Sequence, residues 1–137
     1  MKIVGIAFLS YVALVVVLES MLALVQPEFG DNIVITTTDS NGVASNRVLG
    51  RDFSGGHLYA SANHWPRAWY NAALENPQVR VTMDGATADY LAIAIGEEEH
   101  ARVSRDIGNG TGFKIMVGFA PQRFLRLDPI ADSAEKE

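Results

Sequence analysis

The chain lacks cysteine altogether and has few cations. With no cysteine among its 137 residues, disulfides, thiolate nucleophiles and cysteine metal sites are excluded, and the redox compartment is not indicated. Lysine and arginine number 11 against 16 aspartates and glutamates, which gives a formal net charge of −5. Proteins that bind nucleic acid use cations to neutralise phosphates. The acidic balance, without any basic stripe, therefore argues against nucleic acid as a partner.

The side chains that carry common catalytic chemistry also lack the usual spacings. The three histidines, His57, His64 and His100, do not stand at metal-ligand spacing, and no metal site is predicted. No Ser-His-Asp or paired-carboxylate arrangement stands out, so neither a hydrolase nor a metalloenzyme is indicated. A redox cofactor brings its own reactivity and needs from the protein only stacking, phosphate binding and orientation. Cofactor chemistry is therefore the better hypothesis.

A long apolar run opens the chain. Residues 3–18 carry no charge, and the apolar character resumes from Met21 to Val25. At 1.5 Å per residue this run is long enough to cross a hydrocarbon core of about 30 Å. A secretory signal peptide is the competing interpretation, while a buried core helix is disfavoured because no face is polar. We predict a transmembrane anchor over residues 1–27 and a single-pass membrane protein.

The charges near the anchor bear on its orientation in the membrane and on a partner subunit. Lys2 is the only nearby cation and Glu28 and Asp31 follow the helix, so the positive-inside tendency favours a cytoplasmic N-terminus. A single lysine does not determine on which side of the membrane the globular domain lies. Glu19 lies near the end of the anchor, where it either reaches the interface or contacts another membrane subunit. The second alternative predicts a membrane-protein complex that forms through this helix.

Beyond the anchor the sequence predicts one globular domain over residues 28–129 and a solvated tail over residues 130–137. Asn41-Gly42 and Asp84-Gly85 are favoured hairpin turns, so each should join two antiparallel strands. Period-two alternation and β-branched residues mark the strands themselves. The strands are predicted over residues 33–38, 44–52, 58–61, 79–84, 87–95 and 123–128.

Two helices are predicted around these strands. Pro66 suits a first helical turn, and the residue before Pro77 should end that helix. A second helix begins at the three glutamates of residues 97–99, where Glu98 can pair with Arg102, and ends at the glycines of residues 108–110. Residues 113–119 fit either a short helix or a strand. The pattern is mainly β in an α+β arrangement, a six-stranded antiparallel barrel with flanking helices preceded by the transmembrane helix.

The segment Pro-Arg-Ala-Trp-Tyr-Asn-Ala-Ala-Leu-Glu-Asn-Pro-Gln-Val over residues 66–79 carries a family likeness. It resembles the corresponding segment of the deazaflavin-dependent nitroreductases and quinone reductases, which are small split β-barrels that use coenzyme F-420. The resemblance extends more weakly over residues 34–129. It implies a split β-barrel and hydride transfer from the reduced deazaflavin to a quinone, nitro compound or similar acceptor, with FMN as the alternative coenzyme.

The same resemblance implies a set of site residues. Arg47 and Arg67 would hold the anionic tail of the coenzyme bidentately. Tyr70 would contact the ring or the acceptor, and it is paired with Ser61 as a catalytic residue. The full coenzyme-binding set implied by the resemblance is Arg47, Ser61, Arg67, Trp69, Tyr70 and Asn71.

Three functional classes remain open. The first is a membrane-anchored oxidoreductase of this type. The family usually has a Gly-Arg-Lys-Ser-Gly-like first turn, whereas this chain has Asp-Ser-Asn-Gly at residues 39–42, which favours a second class, an accessory subunit of a membrane complex that binds no coenzyme. The third class is a membrane-tethered binder of haem or another hydrophobic ligand, with His64 or His57 as the candidate ligand residue. A purely structural reading of Trp65 and Trp69, as packing residues of a helix, also stays open.

Overall fold

The computed structural model describes residues 2–25, 31–63 and 68–131. Within these ranges the chain forms four helices and seven strands. The helices are α1 (Lys2–Val25), α2 (Ala68–Glu75), α3 (Glu97–Ile107) and α4 (Thr111–Met116). The strands are β1 (Asn32–Thr38), β2 (Ala44–Gly50), β3 (Asp52–Ser54), β4 (His57–Ala62), β5 (Gln78–Met83), β6 (Ala86–Ala94) and β7 (Arg123–Pro129).

The strands form a single antiparallel sheet in the order β2-β1-β5-β6-β7-β4-β3. The two edge strands, β2 and β3, are consecutive in the chain and are separated only by Arg51. A sheet whose opposite edges are joined by one residue must curl until those edges approach each other. The result is a curled half-barrel with flanking helices, as predicted for a split β-barrel.

The predicted strand over residues 44–52 is divided in two, so the described sheet has seven strands and not six. The N–H of Arg51 donates to the carbonyl of Asp31 at 3.0 Å, next to the start of β1. Beyond this point β1 offers no further partner. Asp52 therefore pairs with Tyr59 of β4 instead, and the chain changes from one edge of the sheet to the other.

Both predicted hairpin turns are confirmed. The Asp39 carboxylate accepts hydrogen bonds from the N–H groups of Asn41 at 2.8 Å and Val43 at 2.9 Å, which closes the β1–β2 turn. At the β5–β6 turn, Asp84 and Gly85 have φ of 53° and 80°. Two consecutive residues with positive φ match the twist of the flanking strands, and for that reason Asp-Gly is favoured there.

The sheet carries a core on each face. The inner core contains buried aliphatic residues of β1, β4, β5, β6 and β7 and is covered by Trp69 and Ala73 of α2. The outer core is smaller and consists of Tyr59 and Phe124 of the sheet with Val103 of α3. The helix α2 ends where predicted, since the N–H of Asn76 donates to the Ala72 carbonyl just before Pro77. Its predicted start at Pro66 lies outside the described residues.

The later helices settle the segment that was ambiguous from sequence. The bounds of α3 match the prediction, and a Cβ on Gly108 would overlap the Ser104 carbonyl oxygen, so glycine is required where the helix ends. The first part of residues 113–119 belongs to α4. A turn follows, in which Gly118 and Phe119 have φ of 63° and 56°, and this turn prevents the continuous strand that the apolar residues also allowed.

The N-terminal helix α1 is the longest element. Its segment Lys2–Met21 is long and apolar enough to cross a membrane by length and composition, and only 6% of its most apolar part is buried, so α1 is not a core helix of this domain. Tyr11 donates its hydroxyl proton to the Ile115 carbonyl at 2.8 Å, which joins α1 to α4. Glu19 is buried within the molecule, with 6% of the residue exposed.

Candidate functional site

Strand register decides which of the predicted site residues lie together. Arg47 of β2 pairs with Ile35 of β1, and Ile35 belongs to the inner core. Ser61 of β4 pairs with Phe124, which belongs to the outer core. Because directly opposed residues project to the same face of a sheet, Arg47 lies on the inner face and Ser61 on the outer face. The implied set of site residues is therefore divided between the two sides of the sheet.

The inner face has a polar strip at the β1–β2 edge, which we define as Thr37, Ser45 and Arg47. Thr37 is opposite Ser45 and is 1% exposed, and its Oγ1 has no hydrogen-bond partner among the described residues. Burial lowers the pKa of the half-buried Arg47 guanidinium, because the charged form loses solvation. The other residues of this core are aliphatic or aromatic, so the strip is its polar border.

The helix α2 packs against β1, β2 and β6 and brings three predicted residues to the same side. Trp69 is buried in the inner core, as expected if it is a packing residue of the helix. Tyr70 is half-buried, packs against that core and meets the Trp69 ring edge to face, with centroids 5.9 Å apart. Asn71 is exposed. Arg67, together with His64 and Trp65, lies outside the described residues.

On the outer face Ser61 is held by a carboxylate. Its hydroxyl donates to Asp52 Oδ2 at 3.0 Å, and Ser61 is 8% exposed. Burial raises the pKa of Asp52, and the hydrogen bond from Ser61 partly opposes that shift. The pair stabilises the short β3–β4 connection of the sheet.

The outer face also carries a charged network that sequence reasoning did not identify. The Tyr59 hydroxyl donates to Glu99 at 2.6 Å and accepts from Arg102 at 3.0 Å. Arg126 Nη1 donates to both Glu99 oxygens at 3.0 Å, and its Nε donates to Asp128 at 3.0 Å. The prediction that Arg102 pairs with Glu98 is wrong, since Arg102 lies 3.8 Å from Glu99 on the side of α3 that faces the sheet.

These contacts shift three pKa values. The hydrogen bond from Tyr59, followed by those from Arg126, lowers the pKa of Glu99 despite its partial burial. Burial raises the pKa of Tyr59, and Glu99 raises it further. Asp128 and then Glu99 raise the pKa of Arg126. The network therefore stays ionised at neutral pH and fixes α3 on the sheet.

A groove of about 590 Å³ opens beside this network. His57 lines it together with Glu97, Glu98, Arg102 and Arg105, and His57 Nδ1 lies 3.7 Å from Asp128. Apart from His57 and Gly96, the described residues that line it are charged. It offers His57 an acidic neighbour and no apolar walls of the kind that enclose a haem macrocycle.

Comparison with known proteins supports the fold. No protein-family model matches the sequence, and no curated protein is significantly similar to it. Among solved structures, HutZ, a heme storage protein from Vibrio cholerae, superposes with a TM-score of 0.52 at 17% identity over 73% of this chain and 82% of that chain. These values establish a shared fold.

Two further solved structures have the same relationship to the chain. An F-420-H2 dependent reductase gives a TM-score of 0.52 at 19% identity, over 70% of this chain and 93% of that chain. An FAD-binding protein from Mesorhizobium loti gives 0.51 at 17% identity, over 73% of this chain and 79% of that chain. The chain therefore has the split-barrel fold on which proteins with these different cofactors are built.

Proposed function

We propose that the protein is a membrane-anchored split-barrel oxidoreductase that binds a deazaflavin or flavin coenzyme and passes hydride to a quinone, nitro compound or similar acceptor. The observation that carries the proposal is the polar strip on the inner face, where Thr37 is buried and Arg47 is half-buried, because Tyr70 packs on the same face. Ligand sites commonly combine apolar walls with a few polar groups. A bound coenzyme would use them.

The residue types on the inner face fit such a coenzyme. The Arg47 guanidinium suits a phosphate or carboxylate in a bidentate contact, and its partial burial reduces competition from water. Tyr70 offers an aromatic face or edge to the ring system, while Trp69 and Ala73 close this side of the sheet to water. When bound in reduced form, the coenzyme supplies the hydride. The chain binds the anionic tail and orients the ring.

The fold gives independent support for the coenzyme class. An F-420-H2 dependent reductase and an FAD-binding protein are similar to this chain in structure. The split barrel accommodates both coenzyme types in those proteins. We therefore propose F-420 as the first coenzyme to test and FMN as the second.

An acidic first turn favours the alternative function of a non-catalytic accessory subunit. The Asp39 carboxylate is engaged by the backbone of its own turn, and residues 39–46 contain no lysine or arginine. The contacts to an anionic tail would then fall to Arg47 and, outside the described residues, Arg67. In this alternative the barrel is a docking scaffold, and α1 joins it to a membrane-protein complex.

Membrane attachment through α1 is part of both proposals. Its length, its composition and the exposure of its apolar side chains support a single-pass anchor, because such side chains gain free energy on transfer to hydrocarbon.

Coenzyme titration separates the oxidoreductase from the accessory subunit. Full-length protein in mild detergent is titrated with F-420 and separately with FMN while coenzyme fluorescence is followed. Binding of one of them at micromolar levels, about −8 kcal/mol, is expected. Arg47→Gln should weaken that binding about tenfold, since it removes a charge-assisted contact worth roughly 1.4 kcal/mol or more.

The matched control is Arg80→Gln. Arg80 is an exposed cation of β5 that lies 3.5 Å from Asp89, and its loss changes the net charge equally without touching the polar strip. Equal weakening by both variants would show that bulk charge and not a site holds the coenzyme. If neither coenzyme binds and the native protein carries no flavin absorbance, the oxidoreductase proposal fails and the accessory subunit replaces it.

A further inference from the structure

The helix α1 contacts the rest of the chain at the midpoint of its apolar span. Tyr11 is the tenth of the 20 residues from Lys2 to Met21, the segment that is long and apolar enough to cross a membrane. Its hydroxyl donates to the backbone carbonyl of Ile115 in α4 at 2.8 Å. As long as this hydrogen bond is present, the depth of α1 in a bilayer therefore determines the depth of α4.

Only the second half of α1 has a covered side. Residues 3–10 are all exposed. The less exposed residues of the helix recur at positions four, seven and eight after the first, which places them on one side of a helix. They are Tyr11, Val15, Leu18 and Glu19. The second half of α1 thus lies alongside the α4 region, where it shares a groove with Gly118, and the first half extends beyond it.

This docked position is incompatible with a helix that crosses a bilayer. At 1.5 Å per residue the apolar span is about 30 Å long and matches a hydrocarbon core of about 30 Å, so Tyr11 must lie near the bilayer centre. The hydrogen bond would then hold α4 at that depth, with the exposed Lys114 next to Ile115. A charged side chain at the bilayer centre is costly.

The backbone that follows α4 leads to the same conclusion. Gly118 and Phe119 form a turn with φ of 63° and 56°, and Phe119 is 60% exposed. Irregular backbone that faces lipid does not occur in the hydrocarbon core, because its polar groups have no water to bond there. Docking on α4 and crossing of the bilayer therefore exclude each other.

A bilayer stabilises α1 more than α4 does. In the docked position Ile3, Phe8 and Val16 remain 82%, 65% and 58% exposed, and such apolar side chains gain free energy on transfer to hydrocarbon. The docked position offers instead one hydrogen bond and one partly covered side of the helix. Without a bilayer this competition is absent, and the Tyr11 hydroxyl keeps its acceptor.

We propose that α1 has two exclusive positions, docked on α4 before membrane insertion and detached from α4 once it crosses the bilayer. The Tyr11 hydroxyl stabilises the docked position, because hydrocarbon offers it no acceptor to replace the Ile115 carbonyl. Detachment allows the barrel to lie outside the hydrocarbon core. The proposal rests on the membrane anchor proposed above and is independent of the coenzyme.

Crosslinking between two introduced cysteines tests the proposal, since the chain has no cysteine of its own. Val12→Cys and Ile115→Cys place thiols beside the contact and leave the Ile115 carbonyl in place. The full chain is made by cell-free synthesis, with or without phosphatidylcholine vesicles, and is treated at once with a short bismaleimide. Mass spectrometry of the linked peptides should detect the crosslink without vesicles. Among chains that resist extraction from vesicles by alkaline carbonate, the crosslinked fraction should be at least tenfold lower.

Two matched controls accompany this pair. Arg80→Cys with Asp89→Cys places thiols at directly opposed residues of β5 and β6, and this pair should crosslink equally with and without vesicles. Tyr11→Phe, added to the first pair, should lower the crosslinked fraction without vesicles. Tyr90→Phe removes a tyrosine hydroxyl elsewhere in the domain and should leave that fraction unchanged.

Crosslinking before the vesicles are added tests the exclusion directly. Chains linked between positions 12 and 115 should fail to become resistant to carbonate extraction, whereas chains linked between positions 80 and 89 should insert like the unmodified chain. Three results would overturn the proposal: equal crosslinking of inserted and vesicle-free chains, no crosslink in either, or insertion of the chain linked between positions 12 and 115.

The membrane anchor is judged separately, on the unmodified chain. If that chain does not resist carbonate extraction, the anchor is refuted and the two positions of α1 with it. A resistant chain that keeps its crosslink between positions 12 and 115 refutes the two positions alone and leaves the anchor in place.

Discussion

At the scale of single residues, alternate positions along a strand face opposite sides of the sheet. Two residues that the family resemblance implies for one site can therefore lie on different faces. The family resemblance implies one coenzyme site that contains Arg47 and Ser61, but their strand partners Ile35 and Phe124 belong to different cores. The alternation of side chains along β4 was readable from sequence. The face on which α3 packs was not, because that depends on contacts between distant parts of the chain.

The Tyr59 hydroxyl provides a test at this scale. It is fully buried and joins Glu99 to Arg102, so Tyr59→Phe removes two hydrogen bonds to charged groups while leaving the ring in place. We expect a loss of about 1–3 kcal/mol in the free energy of unfolding, measured by denaturant unfolding of the full chain in mild detergent.

Tyr90→Phe is the matched control for Tyr59→Phe. Tyr90 packs against the inner core only in part, and its hydroxyl forms no hydrogen bond within the described chain. Its removal should change the unfolding free energy by less than about 0.5 kcal/mol. A comparable loss in both variants would mean that the Tyr59 hydroxyl contributes nothing specific.

At the scale of elements, local sequence signals predicted the helices and hairpins well. Asn41-Gly42 and Asp84-Gly85 impose turns through their own backbone preferences, and Pro77 ends α2 through its ring. The division between β2 and β3 escaped prediction because it arises where β1 runs out of hydrogen-bonding partners. The position of the division is determined by pairing with residues that are distant in sequence, so residues 44–52 themselves contain no signal for it.

Removal of α1 is the corresponding experiment. The exposed apolar side chains of α1 should hold the full chain in the membrane fraction, whereas a chain starting at residue 28 should appear in the soluble fraction with its sheet intact, as followed by circular dichroism. Tyr11→Phe serves as the control, since it breaks only the contact to Ile115 and should leave the chain in the membrane. Recovery of the full chain without detergent would contradict the anchor.

At the scale of the whole molecule, the outer network connects stability to pH. The folded-state pKa of Glu99 is lowered, so its contribution is complete above the ordinary value near 4.5 and is lost as the pH falls through the lower folded value. We expect the thermal midpoint of the full chain to fall in acid below about pH 4.5, and Glu99→Gln to reduce that dependence by removing the titrating group.

The pKa of Asp52 is shifted in the direction opposite to that of Glu99. Burial raises its folded-state pKa, so its contribution is present at low pH and is lost as the pH rises through the folded value. Asp52→Asn should therefore leave the acid loss in place or enlarge it. A reduced acid loss in Asp52→Asn, equal to that of Glu99→Gln, would show that the pH dependence does not come from the Glu99 network.

The single-residue link between β2 and β3 also affects the tendency of the protein to aggregate at high concentration. Exposed edge strands are templates on which other chains add strands and aggregate. Here one edge strand has only three residues, and Arg51 joins it directly to the other edge. Strand addition at the β3 edge of the sheet is thus restricted. We infer that the barrel resists amyloid-like association at this edge even at high local concentrations.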